Sequence, residues 1–116
     1  MREPTYFVLA SLLDGPLHGY AIIKRAGELS GGRVHLATGT LYTALDRLTD
    51  DGQVQLVSEE TVAGRVRRSY GLTEDGAAAL RAEAQRMAEA ARVVADAESR
   101  IAPGLPGLPG RKPRTA

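Results

Sequence analysis

Three times before residue 53 the chain sets aliphatic residues at helical spacing and then halts the run with glycine. Val8, Leu9, Leu12 and Leu13 are followed by Gly15-Pro16; Ile22, Ile23, Ala26 and Leu29 by Ser30-Gly31-Gly32; Leu41, Leu45 and Leu48 by Asp50-Asp51-Gly52. Residues three, four and seven apart share one face of an α-helix, so the runs predict amphipathic helices over 5–14, over 18–29 and from 38 to the Asp50 stop. No single stripe can bury itself, so the three helices must share a core. With one Phe and no Trp in 116 residues, that core is aliphatic and belongs to one domain. His18 stands where it can cap the second helix, and Thr38 offers an N-cap oxygen to the third. Between them, Val34 and Leu36 alternate as in a very short strand over 33–36.

After Gly52 the period changes. VQLV at 54–57 and RVRRSYGL at 65–72, the latter with Val66, Tyr70 and Leu72 on one face, read as two strands around a polar loop EETVAG at 59–64. Thr73, Glu74 and Asp75 then supply a capping hydroxyl and two first-turn acids to a last helix reaching Arg100. Its apolar residues Leu80, Ala84, Met87, Ala91 and Val94 are spaced 4, 3, 4, 3, a seam too narrow for a core face and suited to another helix. The final residues, 101–116, hold PGLPGLPG and RKPR and read as a disordered, extended basic tail. The expected fold is mainly α with a small β-hairpin. Its element order is that of a winged helix-turn-helix domain, at 1–72, followed by an appended helix at 73–100.

The net charge of +1 says little, but RVRR at 65–68 and RKPR at 111–114 concentrate positive charge locally. Without cysteine there are no disulfides or thiolate zinc sites, and His18 and His35 do not have the spacing of a metal pair. No nucleophile and base pair up, and no glycine-rich phosphate loop occurs, so neither enzymatic activity nor a cofactor is expected. The chain has no apolar run long enough for a bilayer and no cleavable leader pattern, which implies a cytoplasmic protein without a membrane partner.

The third helix carries unusual groups opposite its leucines. A solvated face would favour Glu and Lys, whereas Thr40, Thr43 and Arg47 are side chains that reach phosphates and base edges. Thr38, Gly39 and Thr40 can also turn backbone N–H groups toward a phosphate. Tyr42, on the flank, is read as a hydroxyl contact to phosphate, over the alternative of a tyrosine bridging helices. Lys24 reads equally as a contact or as a solvated lysine. In the hairpin, Arg65 and Arg67 face outward and suit phosphates, while Arg68 shares a face with Tyr70 and can instead pair with an acid. Charges on such a hairpin can also serve only to guard an exposed edge.

Three segments, GPLHGYAIIKR at 15–25, TGTLYTALDRLTDDGQV at 38–54 and GRVRRSYGLTEDGAAAL at 64–80, resemble the PadR family of bacterial transcriptional regulators. The resemblance implies that the stretch around Gly39-Thr40-Leu41-Tyr42 begins a DNA-recognition helix and that residues 64–73 form the second strand of a wing. It also implies that the last helix dimerises, through Leu80, Ala84, Met87, Ala91 and Val94 here. The function so implied is a homodimeric repressor on a palindromic double-stranded operator, relieved by a small-molecule effector. The competing reading is a winged-helix interaction module whose basic wing meets an acidic protein.

Overall fold

The computed structural model describes residues 1–101. The disordered tail expected at the end of the chain therefore lies, from residue 102, outside the described residues. Two compact units are distinguished, Met1–Glu83 and the residues from Ala84 onward. The first unit thus takes in the start of the helix assigned to 73–100.

Helix α1 spans Glu3–Ser11, α2 Gly19–Leu29, α3 Thr38–Asp50 and α4 Glu74–Ile101; strand β1 is Leu17–His18, β2 Val54–Val62 and β3 Arg65–Leu72. Helix α1 starts before Pro4, which sits in the first turn where its missing N–H is no loss. It ends earlier than expected, because Leu12, Leu13 and Gly15 bond back to the carbonyls of Leu9, Ala10 and Leu12 and tighten the chain into turns. Leu13 is exposed as a result, while Val8, Leu9 and Leu12 join Ile22, Leu41, Leu45, Leu48, Val54, Tyr70 and Leu80 in one core. His18 caps α2 as anticipated, its Nδ1 accepting from the Ala21 N–H at 3.3 Å.

The short strand is not where the alternation placed it. Residues 33–37 form no strand; Val34 is buried there as a plug, its N–H donated to the Ser30 hydroxyl at 2.9 Å. The third strand is β1, whose Leu17 and His18 lie opposite Tyr70 and Ser69, giving an antiparallel sheet in the order β1-β3-β2. Nor does Thr38 cap α3: Ala37 occupies the N-cap position and no side chain bonds the first turn.

The hairpin is longer than the reading allowed. Most of the expected loop continues β2, and only Ala63-Gly64 turns, with φ of 52° and 78°. Two left-handed residues make the tight turn that matches strand twist. A bulge at Val57 bends the ribbon between the Leu56 and Ser58 pairings. Beyond it the ribbon outruns the core, so Val66 is exposed although it shares a face with buried Tyr70.

The Thr73 hydroxyl ties α4 to the end of α3. It accepts from the Gly76 N–H at 2.9 Å and donates to the Gly52 carbonyl at 2.6 Å. A Cβ on Gly76 would lie 2.0 Å from the Gln53 carbonyl oxygen. Backbone cannot swing aside as a side chain can, so Gly76→Ala must push α4 off the domain. A loss of about 1–3 kcal/mol is expected, read as a lower denaturation midpoint with little change in helix content.

Candidate nucleic-acid interface

Helix α3 divides its residues as its period demands. Leu41, Leu45 and Leu48 enter the core, and Thr40, Thr43 and Arg47 are exposed on the other side. These three and Gly39 form one wall of an open groove of about 840 Å³. The amino end of α1 (Arg2, Pro4, Thr5) and the loop before α3 (His35, Leu36, Ala37) contribute the rest. Across this groove, Arg47 Nη2 donates to Thr5 Oγ1 at 3.4 Å. That is long for a hydrogen bond, and the guanidinium is readily exchanged to a better acceptor. Since no side chain caps α3, the N–H groups of Thr38, Gly39 and Thr40 stay open at the positive end of the helix dipole.

Tyr42 turns inward. Its hydroxyl occupies the space that a Cβ on Gly19 would need, at 2.3 Å, and its ring stands 6.4 Å from that of Tyr70. It therefore bridges α2, α3 and β3, and this departs from the expected phosphate contact, because the hydroxyl is spent filling the space beside Gly19. Burial first, and then the neighbouring Tyr42, push the Tyr70 phenol above its usual range. Both rings act here as packing.

The basic residues of the first unit fall into two groups. Lys24 reaches Glu28 at 3.3 Å, Arg25 reaches Glu28 at 3.6 Å and Asp14 at 3.9 Å, Arg33 pairs with Glu3, and Arg68 meets Glu59 at 2.7 Å. Such surface pairs add only about 0–1 kcal/mol each, but each cancels a positive charge that an anion would otherwise feel. Among the described residues of this unit, Arg2, Arg47, Arg65, Arg67 and Arg81 have no ion-pair partner. Two of these line the groove and two stand on the wing. Arg68 takes the acid-paired alternative, and Lys24 is engaged within its own helix. In the hairpin register Arg65 lies opposite Val62 and Arg67 opposite Glu60, so Arg65 is the wing cation farthest from compensation. Arg2 escaped the sequence reading because it precedes the helical pattern and adjoins an acid; only the fold shows that Glu3 is used by Arg33.

A three-helix domain with an uncapped, threonine-faced third helix, followed by a charged two-stranded ribbon and a long helix, is a winged helix-turn-helix. The chain belongs to the transcriptional regulator PadR-like family, whose profile matches residues 8–82. It is 38% identical over 96 residues to the transcriptional regulator Rv3488 of Mycobacterium tuberculosis, covering 82% of this chain and 85% of that one. It is also 44% identical over 87 residues to an uncharacterized 37.1 kDa protein in transposon TN4556 of Streptomyces fradiae, covering 75% of this chain but only 24% of that relative. Among solved structures, Bacillus subtilis PadR in complex with operator DNA superposes with a TM-score of 0.61 at 28% identity, over 69% of this chain and 46% of that one. A PadR family regulator from Eggerthella lenta gives a TM-score of 0.59 at 26% identity, over 84% and 79% of the two chains. Membership of a regulator family places the chain outside the enzymes. Among the described residues, no helix is long and apolar enough to cross a membrane.

Proposed function

We propose that this chain is a cytoplasmic, sequence-specific repressor that binds a palindromic DNA operator as a homodimer and is released by a small-molecule effector. The observation that carries the reading is the placement of the unpaired cations of the winged unit. Four of the five stand on the groove beside α3 or on the wing, whereas the arginines and lysine elsewhere on the unit are, Arg81 apart, internally paired. On this reading Thr40, Thr43 and Arg47 meet base edges in the major groove, and Thr38 and Gly39 offer N–H groups to a phosphate. The wing cations Arg65 and Arg67 hold the backbone on either side. The relative solved with operator DNA supports DNA as the partner.

Homodimerisation rests on α4. Of the seam residues, Leu80 is buried in the core of its own domain, while Met87, Ala91 and Val94 are exposed. An apolar stripe of that kind calls for a second helix, and Ala84 and Ala91 permit close approach. An effector that changed how two such helices meet would alter the spacing of the two recognition helices.

Footprinting on the DNA upstream of the chain's own coding region tests the reading, with protection of two symmetric half-sites as the expected result. Protection indifferent to sequence, together with capture of acidic proteins, would favour the interaction-module reading instead. The wing gives a sharper test. Arg65→Ala and Arg67→Ala should each lower the dependence of log K on log salt by about one unit, because each removes one phosphate contact. Arg68→Ala, already compensated by Glu59, should leave the slope near that of the parent. The parent's slope in all three variants would take the wing out of the interface.

A further inference from the structure

We propose that the groove between the amino end of α1 and the exposed face of α3 is a second DNA-contact surface, in which Arg2 clamps a backbone phosphate and His35 hydrogen-bonds the same strand. The proposal rests on the DNA-binding reading above and extends it to residues outside both the recognition helix and the wing.

Four observations converge on it. Arg2 is the N-cap residue of α1, where a guanidinium, having donors and no acceptor, cannot cap the helix, and among the described residues it has no ion-pair partner. Its sequence neighbour Glu3 is paired with Arg33, so that carboxylate is already engaged by another cation. Arg2, His35 and Arg47 line one groove together with Gly39 at the uncapped start of α3, which places two guanidiniums and open backbone N–H groups in the same cavity. Finally, Pro4, Val8, Leu36, Ala37 and Ala44 give that groove an apolar lining, suited to sugar and base-methyl surface and poorly suited to free water. The groove is about 840 Å³ and open to solvent, so it is accessible to a strand lying along α3. A strand held there sits directly beside Thr40 and Thr43. Arg2 thereby sets register from outside the helix that reads sequence.

The test is a titration of a matched operator duplex and a scrambled duplex with the parent and four variants, across a range of salt. Arg2→Ala should weaken both duplexes by about tenfold at low salt, the scale of one charge-assisted hydrogen bond, and lower the salt slope by about 0.9. His35→Ala should weaken both by about threefold, a fraction of that. Arg2→Lys keeps the charge and should keep the slope. Arg81→Ala, which removes an equal charge from an exposed site on α4 away from the groove, should behave as the parent. Competition by inorganic phosphate at constant ionic strength forms the last arm.

Parent affinity and slope in Arg2→Ala would overturn the proposal, as would an equal loss in Arg81→Ala, which would reduce the effect to general field. So would an Arg2→Ala protein that loses only its sensitivity to inorganic phosphate, since the groove would then hold a small anion and not DNA. A parent that binds neither duplex would instead defeat the DNA-binding reading itself.

Discussion

Met87→Lys is expected to turn the dimer into monomers and to weaken binding to a palindromic duplex by about a hundredfold or more, the scale on which a linked second site contributes. Met87 lies at the middle of the seam on α4, with Ala84 and Ala91 one turn to either side and Val94 two turns on, and it is 44% exposed in the single chain. Leu80 cannot substitute for it, being buried in the same core cluster as Val8 and Leu9. A helix of 28 residues extends about 42 Å, which gives two copies a long line of contact. Inserting an ammonium into that line obliges it to be desolvated without a partner. The recognition helix and wing carry no change, so the loss measures assembly alone. Sedimentation at micromolar concentration checks it, and a monomeric parent or a dimeric Met87→Lys protein would contradict the seam.

The second large effect concerns sequence preference. Alanine at Thr40, Thr43 and Arg47 should each relax discrimination at its own base position by about 1–3 kcal/mol, and the triple variant should bind matched and scrambled duplexes nearly alike. All three side chains are exposed, and the bond from Arg47 to Thr5 is long, so thermal stability should hardly move. Competition between duplexes differing at single base pairs is the measurement. Retention of the parent's preference in the triple variant would mean that another element reads the sequence.

Where periodicity carried the information, the fold was legible before any coordinates. The leucines of α3 define its buried face and hence, by exclusion, Thr40, Thr43 and Arg47; the His18 and Thr73 caps were likewise visible in residue type and position. What stayed hidden depends on partners distant in sequence. Two residues of β1 show no period, and they become a strand only because the free edge of β3 lies beside them. Val34 and Leu36 show the alternation of a strand but meet no edge. The polar stretch at 59–64 looks like a loop because the outer half of a wing has no core to bury against, so its strands need no apolar face. Tyr42 reads from sequence as a phosphate contact because its inward turn depends on the missing side chain of Gly19, twenty-three residues earlier. For the cations, sequence gives the charge and only the fold gives the pairing: Arg68 is compensated and Arg2 is not.

The most direct test of the central claim, that α3 and its flanking cations form a DNA-reading surface, is an equilibrium titration of the chain against a matched upstream duplex and its half-site-scrambled counterpart from 50 to 200 mM salt, the range over which about six to ten phosphate contacts change affinity by roughly 10³–10⁵. The account predicts tighter binding to the matched duplex, with log K falling linearly as log salt rises and with similar slopes for both duplexes. Equal affinity for the two, or binding indifferent to salt, would contradict it.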